Sequence, residues 1–303
     1  MLKLNNNLKG IGLAVGAALA VSNVYIFSKA ALNEVHLAQF GLYWFGLGII
    51  WNLIYIFIKG KHSKFKDLSK RSIRALSAIA MLEMVGTLFF FLSIKTVSNP
   101  AVVSFLANIN PLFVTTLGIL FLKERFNKIE FVGMAVLLTG AVIISVTSSS
   151  AIDGIFIPGV QYVLISGFLF SIASVIAKKQ IKYVDASILA LSRILLLFLF
   201  SLGSLLYLNL DYVIPETAFY NIAIGSVLGP FLTATLGYMS LKYIEVSKAA
   251  MVRSVRSLFV LVGAYVYFGS LPGNWQIIGG LFTILGVILI STGKLKLKRP
   301  PAK

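Results

Sequence analysis

The 303-residue sequence predicts an all-α integral membrane fold: ten transmembrane helices in two inverted five-helix repeats. Three observations carry this. Ten apolar stretches of near-equal length fall at 10–29, 37–58, 73–94, 99–121, 129–147, 157–177, 186–208, 217–240, 247–268 and 275–293. Each has about 20 residues, a helical rise of about 30 Å and so the thickness of a bilayer's hydrocarbon core. The composition is 58% hydrophobic and 12% charged, with a mean hydropathy of +0.92. A soluble domain carries about 25% charged residues, and the polar gaps here are too short to build a solvated face. Finally, lysines and arginines collect in alternate gaps, as they do in polytopic membrane proteins.

Taken in order, the first stretch follows Lys3 and Lys9, carries Gly10, Gly12 and Gly16 for close packing, and ends near Lys29. Ala17, Ala18 and Ala20 give it some likeness to a signal peptide, but its length and the five-plus-five count make it a retained helix. The second holds Tyr43, Trp44 and Trp51, expected at the interface or against lipid, and leads into the basic loop 59–72. The third contains Glu83 and ends at Lys95; the fourth contains Asn108-Ile109-Asn110-Pro111, where proline frees carbonyls and bends the helix. The fifth has Gly133 and Gly140, and the polar run TSSSAID at 147–153 follows it. That run divides the chain into repeats at 1–150 and 151–303, together one membrane domain. The sixth ends at Lys178, which snorkels to the interface; Lys29 is read the same way. Arg193 lies in the seventh, Gly229-Pro230 forms a hinge beside Ser226 and Thr233 in the eighth, and Arg253 and Arg256 lie in the ninth. The tenth has Gly279, Gly280 and Gly286 ahead of a basic tail.

The net charge of +17 suggests nucleic acid until the charges are placed. One set of gaps holds Lys59, Lys61, Lys64, Lys66, Lys70, Arg71, Arg74, Lys123, Arg125, Lys128, Lys179 and Lys182, while the opposite set holds only Lys29 and Lys95. This asymmetry puts both termini in the cytoplasm, makes the span count even and sets the basic loops against anionic lipid heads. The stretch 59–74 has only Phe65 as an aromatic, so no nucleic-acid partner is expected.

The repeat shows as an offset of 146 between 112–145 and 258–291, with seven identities in 34 positions, among them Leu112-Phe113-Val114 on Leu258-Phe259-Val260 and Gly133 and Gly140 on Gly279 and Gly286. Lys95 meets Lys242 with a one-residue slip, and Lys29 meets Lys178 at 149. An odd number of spans per repeat inserts the second copy upside down. That arrangement lets one bundle rock against its twin around a midplane site.

On Pro111, the Leu122-Lys123-Glu124-Arg125 run, the Gly133/Gly140 and Gly279/Gly286 pairs and Arg193, the chain resembles the drug/metabolite transporter superfamily, in its EamA-type ten-helix branch. It departs at Ser270, where the repeat would place a second glutamate, at Trp44, where the first repeat lacks an arginine, and at Val21-Ser22-Asn23, where a tryptophan-glycine pair is frequent. The resemblance implies a permease with a central cavity lined by helices 1, 3, 4, 6, 8 and 9, helices 5 and 10 peripheral, and export as the direction of transport.

Charges inside the hydrocarbon are the sharpest site signal, at about 2.5–3.5 kcal/mol each on insertion scales. Arg253 and Arg256 share a helix face, and Arg256 and Glu83 come out about 13 and 15 Å deep at about 1.5 Å per residue. Glu83 is therefore expected to meet Arg256 or Arg253, with the arginines clamping a carboxylate or phosphate. A purely structural ion pair is the competing reading. Asn110 is the repeat partner of Arg256, so Asn108 and Asn110 join the candidate substrate contacts, with Asn23 and Tyr25 on helix 1. Arg193 is read as structural, since helix 7 need not line the cavity.

Enzyme chemistry finds no foothold. There is no cysteine; His36 and His62 both lie in or near gaps; no P-loop and no metal-ligand cluster occurs, and no cofactor is expected. The function expected is a secondary-active permease of the cytoplasmic (inner) membrane, moving a small polar, anionic or zwitterionic metabolite such as an amino acid by alternating access. A coupling proton or an exchanged solute would drive it, and helices 5 or 10 could carry a homodimer. The alternative is a non-transporting membrane scaffold or sensor.

Overall fold

The computed structural model describes residues 2–65, 68–122, 128–145 and 158–297. Among these the chain is all helical, in ten rods: α1 (Leu2–Leu32), α2 (Leu37–Ile58), α3 (Lys70–Thr96), α4 (Pro100–Leu122), α5 (Lys128–Ser145), α6 (Val160–Gln180), α7 (Ala186–Tyr207), α8 (Glu216–Tyr243), α9 (Val246–Phe268) and α10 (Asn274–Leu297). Eight of them, α1–α4 and α6–α9, are long and apolar enough to cross a membrane, and α10 supplies the shorter apolar stretch Asn274–Ile290. Large apolar side chains such as Leu120, Val142, Leu199, Val262 and Leu281 stay exposed along the rods, as a lipid-facing surface requires. Glu124, the linker 147–153 and the expected division at 150 and 151 lie outside the described residues.

The packing is that of an inverted repeat. Exchanging α1–α5 with α6–α10 turns α3 against α6 into α8 against α1, α3 against α7 into α8 against α2, and α4 against α6 into α9 against α1. The contacts α2–α7, α4–α9 and α5–α10 map onto themselves. The breaks obey the same exchange. α4 tightens into a 3₁₀ turn at Ala107–Ile109, which the 146 offset carries onto Arg253–Val255, where α9 is interrupted between Val246–Arg253 and Arg256–Phe268. In α8 the Gly229-Pro230 site is a π-helical segment, Val227–Thr233, and Asn52 Nδ2 bonds the Pro230 carbonyl at 3.2 Å. A widened turn is how a helix absorbs a residue whose nitrogen cannot donate.

Lys29 and Lys178 are not free to snorkel. Lys29 is 7% exposed and its Nζ bonds the carbonyls of Lys95 and Val97 at the end of α3, at 3.1 and 2.9 Å. Lys178 does the same for α8, bonding Leu241 and Ile244 at 2.5 Å each. Both ammonium groups satisfy orphan carbonyls at a helix C-terminus, where the dipole favours a cation. The two are repeat equivalents, so one device closes the same corner in each half.

The glycines of α5 and α10 are consumed by each other. A Cβ on Gly140 would lie 2.6 Å from the Gly279 carbonyl oxygen and 2.7 Å from the Thr283 nitrogen; one on Gly286 would lie 2.6 Å from the Leu137 nitrogen. These contacts leave no space at the seam, so the small residues serve helix pairing inside the chain. Gly140→Val is therefore expected to lower the detergent-solubilised melting temperature, with an overpacking cost of about 1–3 kcal/mol, whereas Gly12→Val, at a position with open space around it, should leave it unchanged.

On the face that carries the described chain ends, Lys61 and Lys64 of the 3₁₀ turn Lys61–Phe65 reach Asp185, the N-cap of α7, at 2.9 and 3.3 Å. Burial by itself would raise the Asp185 carboxyl. The Ser187 hydroxyl and amide and the Lys61 ammonium outweigh it and hold the group well below the usual carboxylate range. A depressed native pKa stabilises the fold above the unfolded value of about 3.9, and that stability is lost as pH falls. Asp185→Asn should lower the melting temperature at pH 7 and flatten its decline between pH 5 and 3, read by thermal unfolding across a pH series.

Candidate functional site

Proline determines the first wall of the site. Pro111 has no N–H to offer the Ala107 carbonyl four residues back. That carbonyl takes a 3₁₀ bond from the Asn110 amide and a second from Arg256 Nη2 at 3.0 Å. An arginine at mid-depth is thus anchored to a carbonyl that the proline released across the α4–α9 contact. Arg256 is 8% exposed and its Nε has no partner. Arg253, at the end of the first α9 segment, bonds only its own helix, Nε to the Ala249 carbonyl at 3.4 Å. Its guanidinium lies against Gly237 of α8, where an added Cβ would come within 3.4 Å of Nη1.

Glu83 does not meet Arg256 or Arg253 as an ion pair. Its Oε2 lies 3.3 Å from Arg193 Nε, and its Oε1 accepts from the Tyr238 hydroxyl at 3.2 Å. Arg193 Nη2 continues to the Thr87 hydroxyl at 3.2 Å, which joins α3, α7 and α8. The Arg193 Nε–H is not aligned on the carboxylate, so the contact is one of charge rather than a seated fork. The expectation failed because a residue's depth says nothing about its azimuth. Glu83 and Arg256 both line the same cavity, but α3 packs on α6 and α7 and has no principal contact with α9.

These groups surround a cavity of about 180 Å³. A water molecule takes about 30 Å³ in the liquid, so the cavity has room for several. Glu83, Asn110, Arg253, Arg256 and Tyr25 line it, together with Thr87, Arg193, Tyr238 and the α6 serines Ser166, Ser171 and Ser174. Asn110 Oδ1 has no hydrogen bond and rests against Gly167, where a Cβ would lie 2.2 Å away. Tyr25 stands edge-on to Phe90 at 5.1 Å, and Trp44 to Phe91 at 5.8 Å, making one side aromatic. Neither α5 nor α10 lines the cavity, but α2 and α7 do, beyond the six helices expected.

Two expected contacts are elsewhere. Asn108 is fully buried, its Nδ2 spent on Ser257 Oγ at 3.1 Å and Thr283 Oγ1 at 3.2 Å, where it ties α4 to α9 and α10. Asn23 is exposed on the other side of α1 and bonds the Leu19 carbonyl at 3.0 Å. Residues 23 and 25 differ by about 200° around an α-helix, and 108 and 110, in the tighter 3₁₀ turn, by about 240°, so only one of each pair faces the cavity. Conversely, Arg193 and Trp44 were set aside and both line it; Trp44 is 1% exposed and is neither interfacial nor against lipid. A signal for them did exist in the sequence. They are equivalent at the 149 offset of Lys29 and Lys178, and the α2–α7 contact is self-paired. Tyr238 has no comparable signature.

The EamA-like transporter family model matches the chain twice, over residues 8–146 and 157–292. The chain belongs to the EamA-like transporter family. An EamA-like chain of this kind is a multi-pass membrane transporter and not an enzyme. It is 25% identical over 252 residues to an uncharacterized transporter of Synechocystis sp., covering 77% of this chain and 69% of that protein. It is also 25% identical over 225 residues to the uncharacterized transporter YdfC of Bacillus subtilis, covering 71% of each. A solved crystal structure with 16% sequence identity shares the fold at a TM-score of 0.66, over 98% of this chain and 99% of that one.

Glu83 and Arg193 have side chains only 10% and 16% exposed, so each neutralisation leaves the other charge buried and unmatched. Glu83→Gln and Arg193→Gln are each expected to destabilise by about 3–5 kcal/mol, and the double variant by less than either. Thermal unfolding of the four proteins in detergent closes the cycle.

Proposed function

We propose that this chain is a secondary-active carrier of the cytoplasmic (inner) membrane that moves a small polar metabolite, anionic or zwitterionic as an amino acid is, by alternating access. Residues 1–150 and 151–303 form its two rocking halves, and both termini are cytoplasmic on the charge asymmetry of the gaps. Asn110, Arg253, Arg256 and Tyr25 contact the solute, and Glu83 is the internal counter-ion, paired with Arg193. The observation that carries the reading is the position of the cavity: costly charges line it, and it sits between helices that exchange under the repeat, with the α4 and α9 breaks on its wall. A scaffold or sensor has no need to hold uncompensated arginines around a hydrated space.

A gradient or an exchanged solute supplies the energy, with Glu83 the group placed to carry a coupling proton; export follows the resemblance. The absence of native cysteine gives a direct test. Asn110→Cys and Arg256→Cys should react with a water-soluble maleimide, and saturating solute should slow the reaction. Cysteine at Asn108, whose amide is spent inside the α4–α9–α10 contact, should stay unlabelled. Equal protection of all three sites would leave no water-accessible path and remove the carrier. In a thermal-shift panel of metabolites, a stabilising solute should lose its effect in Arg256→Ala.

A further inference from the structure

The cavity's charge goes further than the choice between anion and zwitterion. Among the described residues, three arginines and a single carboxylate line it: Arg193, Arg253 and Arg256 against Glu83. Glu83 is already matched, with Arg193 at one oxygen and the Tyr238 hydroxyl at the other. The remaining two guanidinium groups have no carboxylate within ion-pair distance among the described residues. Arg253 holds one long bond to its own helix, and Arg256 holds one bond to the Ala107 carbonyl while its Nε stays bare in a site that is 8% exposed. Two like charges on either side of the α9 break and lining one cavity repel each other and are each costly at membrane depth.

Resting on the carrier reading, we infer that the solute is a compact dianion, a short dicarboxylate or a phosphate group, whose two charges are matched by Arg253 and Arg256. The Glu83–Arg193 pair remains internally neutral. A zwitterionic amino acid fits this wall poorly. Its carboxylate answers one guanidinium and leaves the other unmatched, and its ammonium needs an acid when the cavity's one acid is engaged twice. A monoanion leaves one arginine over. The unpartnered Arg256 Nε–H donates to the anion alongside the free N–H groups of Arg253.

The test uses the whole purified chain with four probes: succinate, inorganic phosphate, butyrate and glutamine. Saturable stabilisation by succinate, by phosphate or by both is expected, and which of the two acts identifies the source of the charge. Arg253→Gln and Arg256→Gln should each weaken that binding about tenfold or more, the loss of a charge-assisted bond. Arg253→Gln removes no hydrogen bond to another helix, its folding is checked by the cooperative melting transition without solute, and Arg253→Lys should restore most of the dianion preference. The inference is overturned if glutamine or butyrate stabilises more than either dianion, if no dianion binds, or if Arg253→Gln leaves dianion affinity intact. Counterflow in proteoliposomes separates this from the carrier reading. Exchange of glutamine without dianion preference sinks the dianion and keeps the carrier, while cysteine at Asn110 that no aqueous reagent reaches sinks both.

Discussion

A charge or a free carbonyl inside a lipid-spanning bundle has no water to turn to, so another part of the chain must answer it. Most of what distinguishes this structure follows from that constraint. Pro111 strips the Ala107 carbonyl of its helical donor, and Arg256 takes the place of that donor. The last carbonyls of α3 and α8 are met by Lys29 and Lys178. Asn52 covers the carbonyl of Pro230, and Asn108 cross-links three helices. In each case a polar side chain costly in lipid is placed where a backbone break or a facing hydroxyl requires it. Arg253 and the Arg256 Nε escape this pairing, which is why the cavity around them reads as the place where something else binds.

The two halves share a frame and differ in chemistry. Where α7 presents Arg193 to Glu83 of α3, the equivalent contact has Trp44 of α2 against α8. A Cβ on Gly225 or Gly229 would strike the Trp44 ring, at 2.2 and 2.9 Å, beside Pro230. Asn110 on α4 corresponds to Arg256 on α9 by the 146 offset. One repeat thus contributes an aromatic and amide surface and the other a cationic one. A pseudosymmetric frame lets the halves exchange conformations.

The helices and the presence of a polar centre were legible from residue order, because apolar length, basic gaps and intramembrane charges are properties of the chain itself. Glu83, Arg253, Arg256, Asn110 and Tyr25 were found that way and line the cavity. Asn108 and Asn23 were chosen with them as polar residues of the same helices, but each stands two residues from a lining neighbour and so on another face of its helix. Arg193, read as structural, does pair with Glu83, but it and Trp44 also line the cavity, because the α2–α7 contact brings both helices to the centre. The lysines at 29 and 178 were visible as a repeated pair, but that each caps a helix two rods away in sequence needed the corner geometry.

Residue order alone determined the membrane setting, the ten-helix plan and the duplicated half, since a hydrocarbon slab filters sequence by length and polarity in one dimension. Only the tertiary structure decided which charges cancel. Pairing energy depends on azimuth and on which rods touch, and those arise from close packing at seams such as Gly140 against Gly279 rather than from any local pattern. That is why Glu83 belongs to Arg193, and why two arginines are left facing the hollow.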